Sequence, residues 1–194
     1  LNFQELEKDE IIDVILCWNY TSWGGAQIYF LSIIKNSPSN YRFTIVLPKQ
    51  TKQDILDFFK PYNVKFEFLD ISFQNEPKQG LTEKLMRQIQ RTFSEYEVYR
   101  KLKKMSLNKK ILHIESAPWQ SWILLFFLSK LGNAFLTMHN ALPPDVPNWR
   151  KKIWRKRLNL LLSQNKFHFF AANQNAIDSL KDYVSEKWQN KLIL

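Results

Sequence analysis

Short apolar runs alternate along this chain with longer segments of helical periodicity. Ile11–Trp18 is apolar and rich in β-branched residues, broken only by Asp13, and predicts a buried strand. The pair Gly24-Gly25 separates it from a helix expected over Ala26–Lys35. Tyr41–Leu47 predicts the next strand, ended by Pro48, and Lys52–Lys60 a helix closed by Pro61. Val64–Leu69 alternates and predicts a third strand, followed by a polar loop at Gln74–Gly80. Leu81–Met105 is long, charged and amphipathic. Beyond it the pattern predicts a strand at Lys110–Ile114, an apolar helix at Trp119–Leu131 ended by Gly132-Asn133, and a strand at Ala134–Met138. A basic helix at Asn148–Leu162, a strand at Phe167–Ala172 and a helix at Asn175–Trp188 follow, and Lys191–Leu194 opens a further apolar strand.

Strand–helix alternation of this kind predicts an α/β fold, a Rossmann-like, doubly wound parallel sheet in a single domain. In such sheets ligands sit beyond the carboxyl ends of the strands, near the switch point of strand order. With the order 3-2-1-4-5-6, the loops Asn19–Gly25, Glu115–Trp119 and His139–Asp145 become neighbours. They carry the glycine pair, Glu115 and His139-Asn140.

Charge narrows the choice of partners. Lys and Arg number 28 against 18 Asp and Glu among 194 residues, a formal net charge of +10, which favours anionic ligands. Cys17 is the only cysteine, so there is no internal disulfide framework, and a reducing, cytoplasmic setting is expected. Asn19-Tyr20-Thr21 fits a glycosylation sequon but follows an apolar run directly and reads as chance. The longest all-apolar run, Trp122–Leu128, is too short to span a bilayer, and no charged-then-apolar leader opens the chain. The start at Leu1 reads as that of an excised piece.

The glycine pair holds half of the four glycines in the chain. At a strand-to-helix turn, glycine opens dihedrals closed to other residues and lets a second group approach the backbone. The helix start just beyond offers free N–H groups and a positive dipole end to a phosphate or a sugar hydroxyl. The alternative is a turn glycine beside a packing glycine. The spacing is neither G-x-G-x-x-G nor a P-loop, which argues against nicotinamide or ATP sites of those kinds.

Four motifs at successive strand ends carry a resemblance. They are Gly24-Gly25-Ala26-Gln27 before the apolar run Ile28–Ile34, Leu112-His113-Ile114-Glu115, Thr137-Met138-His139-Asn140, and Phe170-Ala171-Ala172-Asn173. In this order the chain resembles the N-terminal, acceptor-side domain of a GT-B-fold retaining glycosyltransferase, of the large family that includes bacterial mannosyl- and glucosyltransferases. The resemblance covers nearly all of residues 1–194. It implies transfer of a sugar from a nucleotide-sugar donor to a sugar, lipid or glycan acceptor with retention, without a bound metal or other cofactor. It places the Gly25 backbone N–H against the donor diphosphate, with Gly24 shaping the loop. It gives His139 the contact to the transferred sugar, with Asn140 and Glu115 on the acceptor side. Glu115 departs from the family, where a second histidine often stands. The resemblance further implies a C-terminal donor-binding domain after residue 194, and little or no activity of this domain alone. A non-catalytic binding module and a nucleotide-sugar epimerase of the same two-domain plan are the competing classes.

Trp149–Arg157 (WRKKIWRKR) is the remaining concentration of charge. Trp149, Arg150, Lys151, Lys152, Trp154, Arg155, Lys156 and Arg157 are candidates for contact with an anionic membrane surface, against the plainer reading of a solvated basic face. Trp154, Leu158, Leu161 and Leu162 share the apolar face of that helix. Nucleic acid is the weakest partner class here. His113 and His168 lie inside strands and read as packing residues, as do Trp119, Trp122 and Ile123–Leu128. Arg87, Arg91, Arg100 and Lys101–Lys104 read as solvent-facing charge, and Pro143-Pro144 as a stiff wall beside His139.

Overall fold

Seven short runs of β-branched and aromatic residues pair side by side, all parallel, into one sheet. The computed structural model describes residues 10–71, 80–105, 110–118 and 121–194. The strands are β1 (Ile12–Cys17), β2 (Tyr41–Pro48), β3 (Val64–Leu69), β4 (Ile111–Glu115), β5 (Asn133–Met138), β6 (Phe167–Ala171) and β7 (Leu192–Ile193). Their order is β3-β2-β1-β4-β5-β6-β7, so the chain reverses its direction of travel between β1 and β4. This is the expected doubly wound order with a seventh strand added at one edge.

The connections are α1 (Gly25–Asn36), α2 (Gln53–Phe59), α3 (Leu81–Lys104), α4 (Trp122–Leu131), α5 (Asn148–Leu162), α6 (Gln174–Lys181) and α7 (Glu186–Gln189). Alternate strand residues face opposite sides, which makes two cores. On one side, Val14, Leu16, Phe43, Ile45 and Leu47 meet Phe30 of α1 and Ile55 and Phe59 of α2. Trp18, fully buried just past β1, stacks on Phe30 and also meets Phe59. On the other side, Ile15, Leu112, Ile114, Leu136, Phe167 and Phe169 meet Leu102, Leu128, Leu158 and Leu180 from α3, α4, α5 and α6.

Asp13, the polar break in β1, is held by charge across both neighbouring strands. Its carboxylate pairs with Arg42 of β2 at 3.0 Å, its partner in register, and with Lys110 beside β4 at 3.9 Å.

The helix expected over Asn175–Trp188 is two helices, because a side chain from α5 cuts it. Tyr183 and Val184, in the break between the two, are both buried. Asn159 of α5 donates to the Tyr183 carbonyl at 3.0 Å and accepts from the Ser185 N–H at 2.9 Å, satisfying the backbone on both sides of the break.

The apolar helix is described over Trp122–Leu131. Trp119 and residues 74–79 of the polar loop lie outside the described residues. None of the described helices is long and apolar enough to cross a membrane. α3 leaves Leu85, Met86, Ile89, Phe93 and Tyr96 exposed, while Val98 and Leu102 toward its end enter the core.

Candidate functional site

The loops after β1, β4 and β5 meet above the sheet around a cleft of about 490 Å³. Gly24, Gly25, Glu115, His139 and Asn140 all line it, with Asn19 and Tyr20. The sequence therefore places these five residues together, through the reversal of strand order.

The cleft is built first by the start of α1. Gly24 caps the helix with extended backbone, φ −163° and ψ −177°. That conformation is open to any residue, so the expected need for unusual dihedrals does not hold at Gly24. The reason for glycine lies one residue on. A Cβ on Gly25 would stand 3.2 Å from His139 Nδ1, tighter than ordinary contact, and 3.6 Å from Cε1. The imidazole lies directly against the helix start, and a side chain at position 25 would have to push the ring aside by a few tenths of an ångström. Gln27, fully buried, holds the loop. Its Oε1 accepts from the Gly24 N–H at 2.8 Å, and its Nε2 reaches the Ser22 carbonyl at 3.4 Å. Trp23 ties the loop to α2, donating to Asp54 at 2.9 Å and meeting Phe58 edge-on.

His139 follows β5 directly. Asn173 holds its backbone, donating to the His139 carbonyl at 2.9 Å while its Oδ1 accepts from the Ala176 N–H and caps α6. Asn173, the last residue of the fourth motif, thus both caps α6 and braces the histidine loop. The His139 ring is half-buried, and Tyr29 meets it edge-on. Its Nε2 is enclosed without a hydrogen-bond partner among the described residues. Burial lowers the pKa of His139 below the ordinary histidine range, which favours the neutral ring. A neutral imidazole offers one donor and one acceptor.

Beneath it, His113 is buried, hydrogen-bonded to Thr137 and ringed by Tyr29, Phe30, Phe135 and Phe170. Burial, with a smaller push from His139, brings its pKa down to about 4. It is a packing residue, as expected. His168 stacks on Phe135 at 4.7 Å, away from the cleft lining.

Two cleft residues were not singled out by sequence. Tyr20 hydrogen-bonds Glu115: burial raises the pKa of Glu115, and the tyrosine hydroxyl opposes that rise. Burial, then the charge of Glu115, raise the pKa of Tyr20 in turn. Arg91, expected to face solvent, instead lines the cleft and pairs with Glu95 at 3.5 Å. Burial lowers its pKa, and Glu95 counteracts that. The i, i+4 spacing of Arg91 and Glu95 is visible in sequence, but the approach of α3 to the glycine loop is not.

The other candidates lie elsewhere. Pro143 and Pro144 do not wall this cleft; they line a separate depression of about 440 Å³ with Lys151, Lys152 and Arg155. Trp149, Arg150, Lys152, Arg155 and Lys156 are exposed on α5, with Arg150 stacked on Trp149 at 5.2 Å. Trp154 is not part of that surface: it is 9% exposed and packs against Tyr183, because its position on the helix faces the sheet with Leu158, Leu161 and Leu162. Arg157 turns toward Trp122 of α4, 5.3 Å from its ring. Cys17 is buried, and burial pushes its thiol up to about 12, far from the reactive thiolate. Among the described residues, no three or more His, Cys, Asp or Glu are grouped to hold a metal ion.

No protein-family model matches the sequence, and no curated protein matches it either.

Proposed function

We propose that this domain forms the acceptor side of a sugar-transferring enzyme using a nucleotide-sugar donor. The observation that carries the reading is the seat of His139: a half-buried imidazole set against the Gly25 backbone, beside Asn140 and Glu115, lining a cleft at the switch point of the sheet. The α1 N-terminus and Arg91 bring positive potential to the same cleft, which suits a diphosphate. The neutral ring suits a sugar hydroxyl, and Asn140, Glu115 and Tyr20 offer further polar contacts to an acceptor.

In the proposed reaction the bond from the anomeric carbon to the diphosphate oxygen breaks, and its electron pair leaves on the nucleoside diphosphate. The acceptor hydroxyl oxygen forms the new bond to that carbon on the same face, and its proton passes to the departing diphosphate. Positive charge developing on the sugar is met by the leaving diphosphate, which the α1 amides and Arg91 hold in place. The nucleotide itself falls to a second domain of the natural protein, so residues 1–194 alone transfer sugar slowly or not at all.

The exposed Trp149 on the basic face of α5 supports a second element of the reading, contact with an anionic membrane surface during catalysis. The test of function is acceptor-dependent release of nucleoside diphosphate by the protein as its native cell makes it, over a panel of nucleotide sugars and acceptors. Release with at least one pair supports the reading. Donor consumption without any acceptor points to an epimerase or hydrolase, and no consumption across the panel to a binding module.

A further inference from the structure

α5 carries Arg150, Lys151, Lys152, Arg155, Lys156 and Arg157 and no Asp or Glu. Elsewhere in the fold, cations at helical spacing are paired: Lys60 with Asp57, Arg100 with Glu97, and Lys181 with Asp178. Lys151, Lys152 and Arg155 form no ion pair among the described residues. At about 100° per residue they share the flank of α5 turned toward α6, the side on which Asn159 meets Tyr183. There all three line the depression of about 440 Å³ whose other walls are Pro143 and Pro144, and Ser179, Asp182 and Tyr183 from the end of α6 and the turn beyond it. These walls are tied together. The Leu142 N–H donates to Ser179 Oγ at 2.9 Å, and that hydroxyl donates to the Ala176 carbonyl at 2.7 Å, so the proline loop is fastened to α6. Tyr183 is buried against Trp154, and the two proline rings restrict the backbone on the opposite side.

We propose that this depression is a phosphate-binding site, taking a phosphomonoester or diphosphate group between Lys151, Lys152 and Arg155. Like charges three and four residues apart on a helix repel one another, and an anion seated among them removes that repulsion. The guanidinium offers a fork of donors to phosphate oxygens, and the ammonium groups add point charges. Asp182 is the one carboxylate among the lining residues, so three cations stand against one anion and a phosphate dianion balances the charge. Concavity separates this site from the exposed basic face: Lys156, on the outer side of α5, does not line it. The inference does not rest on the sugar-transfer reading, and the depression shares no lining residue with the His139 cleft.

The first probe is inorganic phosphate at pH 8, followed by amide NMR and calorimetry at constant ionic strength. Binding should be saturable, with shifts at Leu142, Lys152 and Ser179. Lys152→Gln and Arg155→Gln replace exposed residues, so folding is preserved, and each should weaken binding by about fivefold or more, with Arg155→Lys between Arg155→Gln and the parent. Asp182→Asn should tighten binding by about threefold, and Lys156→Gln should change it by less than about twofold. Phosphatidylcholine vesicles doped with phosphatidate, or with phosphatidylserine to equal surface potential, then separate the sources of the phosphate. A preference for phosphatidate that Arg155→Gln abolishes identifies a lipid headgroup; saturable phosphate binding without that preference identifies a soluble phosphorylated ligand. No saturable binding, shifts confined to Gly24 and Gly25, equal weakening by Lys156→Gln and Lys152→Gln, or no tightening with Asp182→Asn would each overturn the proposal. A protein that binds phosphate here yet transfers no sugar to any acceptor keeps this site and loses the enzymatic reading instead.

Discussion

His113 makes the fold sensitive to acid by an amount that can be worked out. Its pKa lies at about 4 in the folded chain against an ordinary 6.5, chiefly because burial disfavours the imidazolium. A histidine with a lowered folded pKa costs nothing at pH 7.5, where both folded and unfolded chains hold it neutral. As the pH falls through 6.5, the unfolded chain takes up the proton first, and stability drops until the folded form also binds it near pH 4. At about 1.4 kcal/mol per pH unit, the gap corresponds to about 3 kcal/mol in full and about 2 kcal/mol by pH 5. The perturbation is the double substitution His113→Phe with Thr137→Val, which exchanges both members of a buried hydrogen bond for apolar groups and should be nearly neutral at pH 7.5. The single His113→Phe strands the buried Thr137 hydroxyl and should cost about 1–3 kcal/mol at that pH. Urea unfolding followed by circular dichroism at pH 7.5 and pH 5 measures all three proteins. His139 and His168, whose pKa values burial also lowers, contribute to parent and variant alike, so the difference isolates His113. The double variant should lose about 2 kcal/mol less than the parent between the two pH values. An equal loss in both would refute the reasoning, since the destabilising proton would then bind elsewhere.

Three further expectations concern the site and its supports. Gly25→Ala should leave melting within a few degrees of the parent while shifting the His139 ring resonances and lowering its pKa further by NMR titration, because the new methyl crowds the ring; Gly24→Ala, whose Cβ meets nothing closer than 3.7 Å, should leave both unchanged. Asn159→Ala removes the two bonds that hold the break between α6 and α7, and should cost about 1–3 kcal/mol in urea unfolding and speed hydrogen exchange at Ser185. Binding to vesicles rich in phosphatidylserine should fall steeply with salt and with Trp149→Ala, but Trp154→Phe, at a core position, should not weaken it; sedimentation with the vesicles decides both.

The sheet was largely legible because buried parallel strands are continuous apolar runs, as Ile12–Cys17 and Tyr41–Pro48 show. Once the order reverses at β1 and β4, the meeting of Gly25, Glu115 and His139 follows from topology alone. What stayed hidden depends on side chains arriving from distant elements. The break after Lys181 is set by Asn159, a residue of another helix. The tight space around position 25 is set by the His139 ring rather than by backbone dihedrals. Arg91 reads as surface charge until α3 is laid beside α4, and Pro143-Pro144 reads as part of the His139 loop until the chain is seen turning away from the cleft. Local pattern carries burial and period; the polar inventory of a cleft is a property of tertiary approach.

The central claim is that the cleft around His139 is where a sugar changes partners. Its most direct test is the initial rate of acceptor-dependent nucleoside diphosphate release by the natural protein against the same protein carrying His139→Ala, with circular dichroism verifying the fold. Loss of about a hundredfold or more in kcat, with folding intact, is the predicted result. An unchanged rate would place the chemistry outside this cleft.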